Sequence, residues 1–366
     1  MVFQTNYNEI LKCLNTIDPE NYSKTRNFKD GAVTYLGPYI SRGVISTRFV
    51  YEHICLLKIP WESSEKLIQE LAWRDYWQQI WIWKGDAIHS DFRNEQNKIS
   101  NYKIPRAIIE ANTGIQAVDK AIESLYLTGY MHNHMRMYVA SICCNIANSH
   151  WLTPSKWMYS HLFDGDVASN QLSWQWVAGT FSNKQYFANQ SNINKFFKSQ
   201  QQNSFLDIPY EAFANLSTPE ILKETSDLKT PLVLPKIDDR ASIINKPTLI
   251  YNYYNIDPIW HLNENFQRIF LLEPSIFEKY IVSEKCINFS LALTKNIPNI
   301  KIFIGEFNEL CSLINPNLIT FKEHPLNNHY KGKKESRVWL TDISGYFPSF
   351  FSFWKKCKKE LQYEKK

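Results

Sequence analysis

Residues 128–176 read TGYMHNHMRMYVASICCNIANSHWLTPSKWMYSHLFDGDVASNQLSWQW, and this stretch decides how the chain is understood. On a helix, Asn133, Arg136, Met137 and Ala140 fall at i, i+3, i+4 and i+7, so an amide, a guanidinium and a thioether share one face. An ordinary core stripe would be apolar there. A second helix is predicted from Asp166, an N-cap residue type, and sets Asn170 and Trp174 four residues apart. Its small neighbours Ala168, Ser169, Ala178 and Gly179 let a flat group approach closely. The pattern is that of a wall lining a cofactor cavity.

With 366 residues, 44% of them hydrophobic, the chain is long enough for two domains, each with a real core. The 41 basic and 36 acidic residues leave a net charge of only +5, so any nucleic-acid partner must be met by a local patch. Most of the 12 Trp precede residue 180, where stacking on a planar ligand competes with ordinary burial as their role. The seven Cys form no CxxC, and the adjacent Cys143 and Cys144 sit in an apolar run, which points to a reducing compartment without a metal cluster. The N-terminus lacks a basic flank followed by an apolar stretch, and no window reaches membrane-spanning length. A soluble, cytoplasmic protein is expected.

Working outward, VTYLGPYISRGVIS (33–46) places Thr34, Gly37 and Ser41 around Pro38 at a helix start, where hydroxyls and backbone N–H groups suit phosphate or simply begin a helix. SSEKLIQELAWRDYWQQIWIW (63–83) predicts a long helix capped by Ser63 or Ser64, with Glu70, Trp73, Trp77 and Trp81 at helical spacing. A glutamate on an aromatic stripe is kept either for a partner, with Arg74 at hand, or for chemistry. His132 and His134 point to different helix faces and lack further ligands at metal spacing, so no metal is expected. Asp164 and Asp166 lack the remainder of a calcium loop and are expected to neutralise Arg136 or to accept from a ligand N–H.

Residues 183–204 turn polar, with Lys184 and Lys195 among aromatics as a nucleic-acid rim or a solvated helix end. Residues 205–246 form a linker, or a belt around the first domain. From residue 247 the period changes: TLIYNYY, RIFLLEP, KIFIGEF and LITFKEH read as strands separated by helical segments, which implies a mainly parallel sheet. FFSFWKKCKKELQYEKK closes the chain as a basic amphipathic helix.

Five pieces in order, YLGPYISRG (35–43), ELAWRDYW (70–77), NTGIQAVDKAI (112–122), TGYMHNHMRM (128–137) and DGDVASNQLSWQW (164–176), resemble the flavin-binding domain of the DNA photolyase and cryptochrome family. The resemblance covers residues 22–190. It implies a multidomain α and α/β protein: an all-helical FAD-binding domain over 1–204, a linker over 205–246, and a small mainly parallel, Rossmann-like α/β domain over 247–366. Family photolyases begin with such an α/β antenna domain, so its displacement to the C-terminus is expected to be a circular permutation.

By the same resemblance FAD is the cofactor, with a second chromophore unknown. Thr34, Leu36 and Gly37 are implied near its pyrophosphate, Asn133, Arg136, Asp164, Asp166 and Asn170 around its ring with Asn170 facing N5, and Tyr22 among the other cofactor-binding residues. Trp174 and Trp151 match the first two members of an electron-transfer chain. The third position falls on Lys98, which suggests another route, through Tyr102. Glu70, Trp73, Asn133, Met137 and Trp176 match a pocket for cyclobutane pyrimidine dimers, with Glu70 bonding a base and two Trp cradling the lesion. Extrusion costs least for a lesion that already stacks and pairs poorly. The implied activity is that of a deoxyribodipyrimidine photo-lyase acting on UV-damaged DNA as a monomer, without membrane or metal. Arg26, Arg42, Arg48, Lys184 and Lys195 are the candidate DNA contacts. A cryptochrome-like photosensor, or an enzyme limited to single-stranded DNA, is the alternative.

Overall fold

The computed structural model describes residues 2–237 and 239–364. Its contacts divide the chain into two compact units that do not coincide with the expected 1–204, 205–246 and 247–366 division. One unit comprises residues 20–33 and 84–230; the other comprises 2–19, 34–83 and 231–366.

The helical unit is built on the stretch quoted first. Val118, Ile122 and Leu125 fall on one side of the helix Gln116–Thr128 and join a buried cluster with Met135, Val139, Trp151, Trp157 and Trp174. That helix ends at Gly129, whose φ of 70° is left-handed and whose missing Cβ leaves room for the Phe163 ring, 2.4 Å from where the carbon would stand. Met135 and Val139 come from the helix Asn133–Ser141, which continues into a wide turn, Ile142–Ile146. From that turn Asn145 donates to the carbonyls of Val177 (3.0 Å) and Tyr186 (2.8 Å). Residues 205–230 lie against this unit as a belt: Leu206, Phe213 and Leu222 enter its core, and Thr225–Ser226 pairs antiparallel with Ile104–Pro105.

The second unit holds a five-stranded, all-parallel sheet: β1 (Thr248–Tyr251), β2 (Gln267–Leu272), β3 (Ile300–Ile304), β4 (Ile319–Lys322) and β5 (Lys333–Glu335), in spatial order β3-β2-β1-β4-β5. The four strands expected from their β-branched and aromatic content are present. β5 is polar, short and at the edge, and carries none of that signal. Residues 34–83 belong with the sheet because side chains fasten them there. Asp75 accepts from the Leu340 N–H (2.7 Å), Arg337 donates to Gln78 (2.8 Å), and the Tyr51 hydroxyl donates to the Leu361 carbonyl (2.8 Å). The closing helix, Phe350–Glu364, follows the prediction. No helix among the described residues is long and apolar enough to cross a membrane.

Candidate functional site

In the helical unit the odd residues of the opening stretch are organised by hydrogen bonds. Arg136 donates from one terminal nitrogen to both oxygens of Asp164 (3.0 Å each), and its Nε donates to the Met131 carbonyl (2.8 Å). Both partners are mostly buried, with side chains 20% and 11% exposed, so each fixes the other and keeps a charge pair where a lone charge would be costly. Asp166 takes the other role: it caps the helix Val167–Ala178 by accepting from the Ser169 N–H (2.7 Å).

Within that helix Asn170 donates its amide nitrogen to the Ser155 carbonyl (2.8 Å), which leaves its side-chain oxygen as the acceptor offered elsewhere. Ser169 Oγ is buried and has no hydrogen-bond partner among the described residues. Buried polar atoms are rarely left orphaned, and a hydrogen-bonding ligand would give the Ser169 hydroxyl a partner. Asn133 opens its helix and is exposed, with His132 rather than a carboxylate or hydroxyl capping it. Burial above all, with the nearby Arg136 guanidinium adding to it, pulls the His132 imidazole down to about 4, so it stays neutral at pH 7. Met137 packs against the apolar cluster, Trp174 and Trp151 are buried within it, and Trp176 is 39% exposed beside Tyr186.

In the sheet-containing unit Thr34, Leu36 and Gly37 lie at the start of the short helix Gly37–Ser41, as the sequence predicts, with no side chain capping its first turn. The helix expected to start at Ser63 or Ser64 begins at Trp61 instead, and Ser64 turns its hydroxyl back onto the Trp61 carbonyl (3.1 Å). Glu70 is half-buried and pairs with Lys66 (3.0 Å), one turn earlier, while Arg74 donates to the Ser41 hydroxyl. Trp73 stacks face to face on Phe350, with ring centres 3.6 Å apart and planes 9° from parallel. One ring face is therefore already covered, a feature nothing near Trp73 in sequence could signal.

Arg42 is not a DNA contact. It is fully buried with its guanidinium 3.6 Å from the centre of the Tyr253 ring, and the cation is held by that aromatic face rather than by solvent. Arg48 is occupied by Glu52 (3.0 Å) and the Leu340 carbonyl (3.3 Å), and Arg26 donates to the Ser23 carbonyl (2.7 Å). Lys184 and Lys195 are exposed. Tyr22 lies on the helix Pro19–Thr25 and is half-buried.

Residues 67–224 match the family model described as the FAD binding domain of DNA photolyase. A deoxyribodipyrimidine photo-lyase of Streptomyces griseus is 38% identical over 119 residues, 32% of this chain and 26% of that protein. A cryptochrome DASH of Synechocystis sp. is 29% identical over 172 residues, 44% of this chain and 34% of that protein. The chain thus matches about a third or less of these relatives' length. Among solved structures, that of a Synechocystis sp. PCC6803 cryptochrome superposes with a TM-score of 0.50 at 26% identity, over 54% of this chain and 44% of that one. Residues 67–224 are thus similar to the FAD-binding domain of DNA photolyases, and the chain shares this similarity with photolyases and cryptochromes.

Proposed function

We propose that this protein is a light-driven lyase that splits cyclobutane pyrimidine dimers in UV-damaged DNA. The observation that carries the flavin part is the set Arg136, Asp164, Ser169 and Asn170: an ion pair, an orphaned buried hydroxyl and an amide held so that its oxygen points away from Ser155. These residues would hold the isoalloxazine. FAD, when bound and reduced, supplies an electron on blue or near-UV excitation and takes it back once the cyclobutane ring has opened. The chain's own task is to orient and to exclude water. The Asn170 oxygen would accept from a donor of the ring, and the Arg136–Asp164 pair would supply fixed charges that need no reorganisation. Glu70 would hydrogen-bond a base of the lesion once it leaves Lys66, and Trp73 would stand beside it one helical turn on. The photosensor alternative draws on the Trp73–Phe350 stack, which fills one side of an aromatic the lyase needs.

The test is blue-light-dependent loss of thymine dimers from an oligonucleotide, with the flavin chemically reduced beforehand. Wild type is compared with Glu70→Ala and Asn170→Ala. Repair that needs light and weakens in Glu70→Ala supports the lyase. A flavin-loaded protein that leaves the lesion intact in both single-stranded and duplex DNA removes it.

A further inference from the structure

The basic closing helix belongs neither to the cofactor wall nor to the lesion residues. It runs from Phe350 to Glu364 and turns Phe350, Phe353, Trp354, Cys357 and Leu361 inward, all buried. Its outer side is cationic. Phe351, Lys355 and Lys359 follow one another at i, i+4 and i+8 and are exposed, as is Lys356, whose ammonium stands 5.0 Å over the Phe347 ring. Glu65 neutralises Lys358 (2.6 Å), and Glu360 accepts from the Asp342 N–H (2.8 Å). Among the described residues no carboxylate pairs with Lys355, Lys356 or Lys359. Like charges one turn apart repel, so this row weakens the helix in isolation and a polyanion laid along it relieves the repulsion.

We infer that Lys355, Lys356 and Lys359 form a phosphate-binding face that holds the DNA backbone flanking the lesion. The inference rests on the repair reading above and adds to it a surface on the α/β side of the chain. The closing helix is fastened to the helix Trp61–Lys84, which carries Glu70 and Trp73, by the Phe350–Trp73 stack and the Lys358–Glu65 bridge. Its cations therefore keep a fixed position relative to those two residues. Three of the arginines named from the sequence as DNA contacts are engaged by the protein itself: Arg42 is buried, Arg48 meets Glu52, and Arg26 meets the Ser23 carbonyl. Lys355 and Lys359 stand about 6 Å apart along the helix axis, a spacing that neighbouring phosphates of one strand can meet. An anionic membrane fits less well. A helix lying in a bilayer interface needs an apolar face beside its basic one, and here that face is buried in the protein, leaving Phe351 alone outside. Ammonium groups on phosphates read charge and not sequence, so this face strengthens binding to damaged and undamaged DNA alike.

The experiment measures binding of the flavin-loaded full chain to a fluorescent duplex oligonucleotide, with and without one thymine dimer, by anisotropy across a series of salt concentrations. One variant combines Lys355→Gln, Lys356→Gln and Lys359→Gln. A second, of equal net charge, combines Lys12→Gln, Lys103→Gln and Lys223→Gln, exposed lysines that each have a carboxylate partner. Loss of three phosphate contacts should lower the slope of log K against log salt by about 3, equally on both duplexes, while the second variant keeps the wild-type slope. Should the triple variant melt early, Lys355→Gln and Lys359→Gln are read singly, each lowering the slope by about 1. A slope unchanged in the helix variants, or lowered as much in the second variant, overturns the proposal. So does wild-type binding to vesicles of phosphatidylserine and phosphatidylcholine that the helix variant loses while its DNA slope is unchanged, which gives the face to a membrane. Light-dependent dimer splitting at saturating DNA is read in the same proteins. If wild type leaves the dimer intact although its slope depends on the three lysines, the phosphate-binding face stands and the repair reading falls. If it splits the dimer with a slope indifferent to them, repair stands and the face falls. A wild type that binds neither duplex removes both.

Discussion

Asp75 should make the protein less stable at neutral pH than its amide counterpart, by an amount that depends on pH in a defined way. Its carboxyl is buried, and the loss of solvation pushes it from an ordinary 3.8 up to about 6, against the opposing pull of the Leu340 N–H, the Thr47 hydroxyl, Arg337 and Arg74. The folded state therefore favours the protonated acid. The stability this group contributes is fully present below pH 3.8 and is lost as pH rises through 6. A shift of about two units corresponds to about 3 kcal/mol at pH 7.5, and to about 1 kcal/mol at pH 4.5, where the folded acid is still protonated. Asp75→Asn preserves the geometry: its oxygen accepts from Leu340, and the Thr47 hydroxyl, which now donates at 3.1 and 3.2 Å, rotates to accept from the amide. In urea unfolding of both proteins at the two pH values, the variant should gain about 2 kcal/mol over wild type between pH 4.5 and 7.5. A difference that does not change with pH, or a variant weaker than wild type at pH 7.5, would refute the reasoning.

Asp164→Ala strands the mostly buried Arg136 guanidinium, so purified protein should carry less flavin, read as a lower visible-to-ultraviolet absorbance ratio than Asp164→Asn, which keeps an acceptor. Gly43→Ala puts a carbon 2.5 Å from the Tyr254 carbonyl oxygen at a φ of 66°, and should cost about 1–3 kcal/mol, measured as a lower melting temperature. Phe350→Ala removes a buried ring from the face of Trp73 and should cost about 3 kcal/mol in denaturant unfolding, with a red-shifted tryptophan emission.

Much of this was legible in the chain because the signals are local. Periodicity marks the helices Asn133–Ser141 and Val167–Ala178, and Asp166 is the cap its residue type announces. The four hydrophobic strands declare themselves by β-branched runs, whereas β5, KKE, has only its backbone to offer the sheet edge. What sequence did not show depends on contacts distant along the chain. The sequence offers Arg74 as one partner for Glu70, with a chemical role as the alternative; in the structure an i, i+4 neighbour, Lys66, reaches Glu70, while Arg74 turns to Ser41. Arg42 has the composition of a surface cation, and only the fold brings Tyr253, more than two hundred residues on, beneath it. Asp91 sits in a polar loop without period, so its bond to Trp151 leaves no trace in the spacing of residues.

The same long-range contacts divide the chemistry. Arg136, Asp164 and Asn170 belong to one compact unit, while Glu70 and Trp73 ride on a helix that the other unit fixes through Asp75, Gln78 and Phe350. A change that loosens that helix alters how Glu70 and Trp73 are presented without touching the Arg136–Asp164 pair. Phe350→Ala should therefore change dimer repair at unchanged flavin content, whereas Asp164→Ala should lower both together, since no electron leaves a protein without its flavin. If Phe350→Ala instead loses flavin in proportion to repair, the two sets are energetically one, and a lesion pocket cannot be separated from the cofactor wall. If repair rises when Phe350 is removed, the stacked ring is a plug on Trp73, and the photosensor alternative loses the one observation that favours it.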